Sequence, residues 1–333
     1  MKISKLLNEN RIIGKFANII FRIFHSINNK ISTKHEFKLL GDLPPKLYVP
    51  FHPNPESNLY GHIQVFKKYL DNTCNLENLH IQHGVILGDL VQDIMINSFA
   101  DTIVTYSEKR KKKIQSVTSK NIIAVGPYIN YAKNRLNPYK MESLKKDYGK
   151  SLLVFPAHSS VERTKISFNL QVLIQKINEI KQKNNIKTVF VNLFYNDCNK
   201  TTINFYEKHG FIVCSAGYWL SENFLHNLRT IIELSDITMS NKMGTHIGYC
   251  LALGKPHFIF KQEYDELFVG SRSQEDKQQT EKHEHLTKLD TEKIESLFLN
   301  DDFIITQDQI DIVDEFWGNS IFHDKTKLKS LLG

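Results

Sequence analysis

Few of the residues and motifs that announce a familiar chemistry occur in this chain. There are four cysteines in 333 residues: Cys74, Cys198, Cys214 and Cys250. They lie far apart with no CxxC pair and no secretory leader, which argues against a disulfide framework or a structural zinc site and for a reducing cytoplasm. GxGxxG, the Walker A lysine loop, GxSxG and HExxH are all missing, so the enzyme classes built on them lose support. No DxD follows a strand-like run; the adjacent acids Asp301 and Asp302 fall in a tail segment and read as surface. Excess positive charge is also missing from most of the chain. The formal charge is +7, but residues 1–35 hold seven Lys and Arg against Glu9 alone. The remainder is almost neutral, whereas a nucleic-acid-binding face would spread its excess more widely.

What is there describes a globular chain, 41% hydrophobic and 24% charged, long enough for two domains. Near the start, Ile12, Ile13, Phe16, Ile19, Ile20, Ile23, Phe24 and Ile27 recur at helical steps with Arg11, Lys15, Arg22 and Lys30 between them. This is a basic amphipathic helix, too interrupted by Asn18 and Arg22 to span a bilayer. It suits either the surface of an anionic membrane or packing on the first domain with its basic face in water. From Lys46 onward the pattern changes to short apolar runs separated by helical stretches. Residues 47–51, 79–82, 102–106 and 122–125 read as strands spaced as in β/α units, and a first Rossmann-like domain follows. The loops after them carry HPNPES, HGVILGD, SEKRKKK and GPYIN, which would line one wall of a cleft.

A second set of strands is expected at 152–155, 188–194, 211–214, 237–239 and 258–260, with a helix at 171–183. Residues 134–150 suit a linker. Residues 262–290 are polar and read as a loop region or insertion, and the last 25 residues read as helical. The expected architecture is α/β, with two Rossmann-like domains facing a cleft: a basic helical region at 1–35, an N-terminal domain at 36–140, a C-terminal domain at 141–308 and a helical tail at 309–333. The richest stretch is IIELSDITMSNKMGTHIGYCLALGKPHFIF, residues 231–260. It reads as strand, loop, helix, strand, with Gly254 suited to the helix C-cap. The residues after its first strand, Asn241, Lys242, Gly244, Thr245 and His246, would face the crevice beyond the strand ends. Lys255 falls at the opposite edge.

Each candidate has two readings. His83, at a strand end beside Gly84, is either a general base near neutral pH or a structural residue. Asp89 either assists it or complements a helix dipole. His158, Ser159 and Ser160 bind phosphate oxygens or form a turn and helix N-cap, and Thr245 can also cap its helix. His52 and Glu56 in HPNPES either face an acceptor or belong to a proline-shaped loop. Trp219 with Tyr218 either stacks on a base or joins the core. The basic run Lys109–Lys113 is either a solvated face or an electrostatic guide for an acidic glycan or lipid phosphate.

Together, QHG after an N-domain strand, VGPYI closing that domain, FPAHSSVE opening the second, and SDITMSNKMGTHIGYCLALGKP resemble the GT-B glycosyltransferases. The resemblance is closest to bacterial enzymes of capsule and lipopolysaccharide synthesis, and it covers most of residues 40–260. The teichoic-acid glycerophosphotransferases are similar at a greater distance; there HG normally continues with a small residue, Pro and Lys, where this chain has Val85-Ile86-Leu87-Gly88-Asp89. The resemblance implies a transferase moving a sugar from a UDP-, GDP- or CMP-linked donor to a surface polysaccharide or lipid-linked glycan. It implies no metal or cofactor, and a cytoplasmic location at the inner face of the membrane. His158, Ser159, Ser160, Asn241, Gly244, Thr245 and His246 would then hold the donor nucleotide, with His52 and Glu56 on the acceptor side and His83, Asp89 and Glu162 as catalytic candidates. Residues 241–255 contain no carboxylate for a ribose, so either Glu162 or Glu222 substitutes or the donor differs, for instance a CMP-linked acidic sugar. The alternatives are a glycerophosphotransferase or a non-catalytic binding module.

Overall fold

The computed structural model describes residues 54–159, 164–269 and 273–333. The expected N-terminal helix, the strand at 47–51, and His52, Ser160 and Glu162 lie outside the described residues. Within them the chain is an α/β protein with two parallel sheets and one antiparallel strand pair.

The first sheet has the order β1-β2-β3, from β1 (Leu79–Ile81), β2 (Thr102–Thr105) and β3 (Asn121–Ala124), all parallel. A 3-10 helix (Pro55–Gly61) and helix α1 (His62–Tyr69) precede it. Helices α2 (Asp93–Ile96) and α3 (Glu108–Gln115) connect its strands, and a second 3-10 turn (Tyr128–Tyr131) follows. The stretch expected to link the two sheets contains helix α4 (Pro138–Tyr148), started by Asn137 as N-cap with Pro138 in the first turn.

The second sheet has the order β7-β6-β4-β8-β9 and is wholly parallel: β4 (Ser151–Phe155), β6 (Thr188–Asn192), β7 (Ile212–Cys214), β8 (Ile237–Ser240) and β9 (His257–Ile259). Helices α5 (Leu170–Lys183), α6 (Lys200–Lys208), α7 (Phe224–Leu234) and α8 (His246–Ala252) are its crossovers. Successive side chains of β4 point to opposite faces. Leu152 and Val154 therefore join Leu173, Ile177, Val191 and Tyr206 on one side, while Leu153 and Phe155 join Ile231, Ile247 and Trp317 on the other. That second core continues without a break into Ile63, Phe66, Val104 and Tyr128 of the first lobe.

Helix α7 is the splint between the lobes. Nine of its eleven residues are buried. Arg229 donates to the carbonyls of Ile129, Asn130 and Ala132 at 3.2, 3.3 and 2.9 Å, closing the end of the 3-10 turn, while its Nε is paired with Glu233 at 2.7 Å.

Residues 262–290, expected as a polar loop, are instead largely structured: β10 (Tyr264–Phe268) pairs antiparallel with β5 (Thr164–Phe168), and a 25-residue helix α9 runs Ser273–Leu297. The expectation failed because α9 shows so little apolar periodicity. Only its far end reaches the core, through Ile294 with the following Phe298, while Leu289 is exposed and the pairs Lys277–Glu281 and Lys288–Glu292 support its outer face. The final helices α10 (Gln307–Trp317) and α11 (Lys325–Leu332) are present as expected and return to the first sheet. His323 approaches the Ala124 carbonyl at 3.0 Å, and Tyr131 Oη accepts from the His323 amide at 3.1 Å. No helix among the described residues is long and apolar enough to cross a membrane.

Trp317 is fully buried, and a Cβ built on Gly248 would lie 2.2 Å from its ring. Gly248→Ala is therefore expected to destabilise the fold by about 1–3 kcal/mol, the usual cost of overpacking a well-filled site. Chemical denaturation is the check, and an unchanged midpoint would show that the indole can give way.

Candidate functional site

In an open parallel sheet, the strand whose neighbours on its two sides are reached by crossovers in opposite directions opens a crevice at its carboxyl end. Here that strand is β4, between β6 and β8. The loops leaving β4 and β8 are residues 156–159 and 241–245, so the switch point gathers most of the residues expected to hold a donor nucleotide.

Asn241 fixes the two loops to each other. It is 3% exposed; its Oδ1 accepts from the Ala157 amide at 2.6 Å and its Nδ2 donates to Gln262 Oε1 beyond β9 at 3.0 Å. Both ends of its amide are thus engaged in holding the loops in place. Gly244 is required because a Cβ there would lie 2.8 Å from the His246 ring. Thr245 occupies the N-cap of α8 but makes no side-chain cap bond. Its hydroxyl accepts from the Val85 amide of the first lobe at 3.2 Å, and its carbonyl accepts from Trp317 Nε1 at 3.0 Å.

His246 stacks on Phe155 at 4.7 Å and lies 5.3 Å from His257. Its Nε2 is buried with no hydrogen-bond partner, and burial, reinforced by His158, pushes its pKa down to about 3. It is therefore a neutral imidazole at physiological pH. His257 is neutral as well, held well below its ordinary pKa by burial, with its two ring nitrogens 2.8 Å from Thr238 Oγ1 and 3.0 Å from Ser240 Oγ.

The opposite wall comes from β4, β6 and β7. His158 is exposed on the crevice rim and packs against Phe194 at 4.4 Å; Tyr195, Tyr218 and Trp219 continue the aromatic run. Tyr218 is buried, whereas Trp219 is partly open. The Ser159 hydroxyl accepts from the Ile166 amide in β5 at 3.1 Å, and its amide donates to Asp197 Oδ2 at 3.3 Å. Asp197 was not among the expected residues. Burial raises its pKa, with His158 and the Ser159 amide opposing. The sequence signal was an acid three residues past the apolar run ending at Phe194. It is a carboxylate on the wall facing residues 241–245, which contain none.

The first lobe contributes the loop after β1. His83 is half-buried and stacks on Tyr60 at 6.0 Å, and Tyr60 lies 5.0 Å from Phe224 of α7. The Tyr60 amide donates to the Trp219 carbonyl at 2.5 Å. The His83 loop and the 3-10 helix therefore both touch the second lobe, through Thr245 and Trp219. Two expected residues are placed differently. Asp89 projects into solvent and pairs with Lys113 at 3.0 Å. Glu56 lies 3.2 Å from Nε2 of the buried His80, whose Nδ1 is 2.7 Å from Asn54 Nδ2, so it supports the base of the first lobe. Lys255 donates to the Ser235 carbonyl at the far edge of the sheet. Among the described residues no group of three or more His, Cys, Asp and Glu is placed to hold a metal ion.

No protein-family model and no curated protein matches the chain. Among solved structures it is similar to two of the wall teichoic acid polymerase TagF. One is 13% identical, covering 76% of this chain and 67% of that one with a TM-score of 0.42. The other is 11% identical, covering 76% and 66% with a TM-score of 0.41. It is also similar to UDP-GlcNAc 2-epimerase from Neisseria meningitidis, 11% identical, covering 81% of this chain and 78% of that one with a TM-score of 0.36. The chain thus spans about two thirds of the teichoic acid polymerase chains.

Burial lowers the pKa values of His62, His226, His246 and His257 in the fold, His226 to about 4. The unfolded chain then binds protons that the folded one refuses, so stability is complete above the unfolded pKa of about 6.5 and falls as pH drops below it. The thermal midpoint is expected to be level above pH about 7 and to fall steadily from pH about 6.5 to about 5. His246→Gln should flatten that slope; a midpoint that is level over this range would contradict the burial assignments.

Proposed function

We propose that this protein is a glycosyltransferase that moves a sugar from a nucleotide-sugar donor to a bacterial surface polysaccharide or lipid-linked glycan, without a metal ion. The observation that carries the reading is the Thr245–Val85 hydrogen bond, which ties the switch-point crevice of the second lobe to the loop that presents His83 from the first. A donor in the crevice and an acceptor beside His83 would then meet at one seam.

The nucleotide lies along the loops after β4 and β8. Trp219 or the Phe194–Tyr195 pair offers the base an aromatic face, Asp197 suits a ribose hydroxyl, and the neutral imidazoles of His158 and His246 can donate to diphosphate oxygens. Lys242, whose ammonium sits 4.2 Å from the Tyr264 ring, adds positive charge at the rim. In the transfer step the acceptor hydroxyl gives its proton to His83 as its oxygen bonds to the anomeric carbon. The anomeric carbon–oxygen bond to phosphate breaks, and its electron pair leaves with the nucleotide. Hydrogen-bond donors fixed in place before the reaction stabilise that departing charge without a cation. The basic segment at residues 1–35 belongs to the same proposal as a peripheral anchor to anionic membrane.

His83→Ala is expected to lose about 10²- to 10⁴-fold in turnover, the usual value of general-base assistance. It should keep the rise in melting temperature that donor nucleotide produces, because the donor is held by the other lobe. Chelator should leave turnover intact. Product analysis separates the rivals: a glycosylated acceptor supports the proposal, glycerol phosphate transfer replaces the donor assignment, and nucleotide binding without turnover sinks the enzyme reading.

A further inference from the structure

Beside α3, on the outer side of the His83 loop, lies a hollow of about 520 Å³ lined by Ser107, Lys109, Arg110, Lys112, Lys113 and Asp89 among others. Arg110 is 5% exposed. Its Nε donates to Gln82 Oε1 at 3.0 Å and one amino group donates to the Leu90 carbonyl at 2.6 Å, while the other amino group is buried with no hydrogen-bond partner. Among the described residues no carboxylate pairs with it. Burying an ion without a counterion costs several kcal/mol even after the surroundings relax, and a guanidinium, unlike a lysine, does not escape the cost by shedding its proton near neutral pH.

The nearby acids leave the balance positive. Asp89 pairs with Lys113 at 3.0 Å in open solvent. Lys109 is 2.7 Å from Glu315 and 3.8 Å from Asp290, which also accepts from the Gly88 amide. Glu315 is shared with Lys293 at 3.0 Å. Four cations against one carboxylate line the hollow itself.

We infer that this hollow binds a phosphate group. The unpartnered amino group of Arg110 offers a fixed, charged donor and the lysine ammoniums add mobile point charges, a combination that suits a multiply charged oxyanion. Arg110 also connects the hollow to the proposed chemistry: Gln82, which accepts from its Nε, donates through Nε2 to the Gly84 carbonyl at 2.6 Å, beside His83. That the phosphate belongs to the acceptor, as a lipid-linked or glycan phosphate, rests on the transferase reading; the binding itself does not.

The test is thermal shift with two probes, inorganic pyrophosphate and dodecyl phosphate below its micellar concentration. Either should raise the melting temperature, the stronger identifying a free or an alkyl-linked source, and the rise should fall by more than half in Lys112→Ala/Lys113→Ala, whose substitutions are confined to the helix surface. His158→Ala should keep the rise, which distinguishes this hollow from the donor crevice. The inference is overturned if neither probe shifts the wild type, or if the double variant responds as the wild type does. Arg110→Met, where it folds, should lose the response. Nucleotide stabilisation should persist in the double variant; its absence from the wild type would count against the donor crevice alone.

Discussion

Three separate parts of the chain meet at Thr245. Its hydroxyl holds the Val85 amide of the first lobe, its carbonyl holds the Trp317 indole from the end of α10, and its backbone begins the helix that follows the switch-point loop. Each bond alone is worth about 1 kcal/mol net. Their value is geometric, because a loop, a helix terminus and a distant tryptophan are placed by the same residue. Gly248, one helical turn on, leaves room for the indole, and Gly244, just before, leaves room for His246. The short segment 244–248 thus carries one contact between the lobes and makes room for the imidazole and the indole.

The histidines follow from the same packing. Stacking His246 on Phe155 and enclosing it beside His257 denies the ring the water that would stabilise its charged form. Such a ring does not serve as a base near neutral pH, but it remains a neutral donor or acceptor whose orientation cannot relax. His83, half-buried against Tyr60, keeps contact with solvent. The two lobes therefore offer imidazoles in different settings, one enclosed and one partly open to solvent.

Much of the fold was legible because buried parallel strands are short apolar runs that nothing else in the chain imitates. The runs at 79–82, 102–106, 152–155 and 237–239 each correspond to a strand, and the 171–183 helix to α5. Helix α9 was not legible, since it carries its apolar seam only at one end and is charged elsewhere. The site was legible in part. Position after a strand brought out the loops at 156–159 and 241–246, but it could not separate a residue that lines a crevice from one that braces it. Asn241 bonds both loops, and Glu56 lies against a buried histidine. Asp197 escaped because its neighbourhood to Ser159 is created by the pairing of β4 with β6, a contact between residues 38 apart in the chain.

Gln82 shows how far such bracing reaches. It is 1% exposed, and its Oε1 accepts from both Thr105 Oγ1 and Arg110 Nε while its Nε2 holds the Gly84 carbonyl. A buried side-chain amide with three partners cannot move one of them without disturbing the others, since each bond lost leaves a desolvated polar group. One buried side chain thus holds both the Arg110 guanidinium and the Gly84 carbonyl, in the loop that carries His83. The charge that lines the outer hollow and the imidazole that faces the seam are two ends of one rigid connection, β1 at its base and α3 at its side.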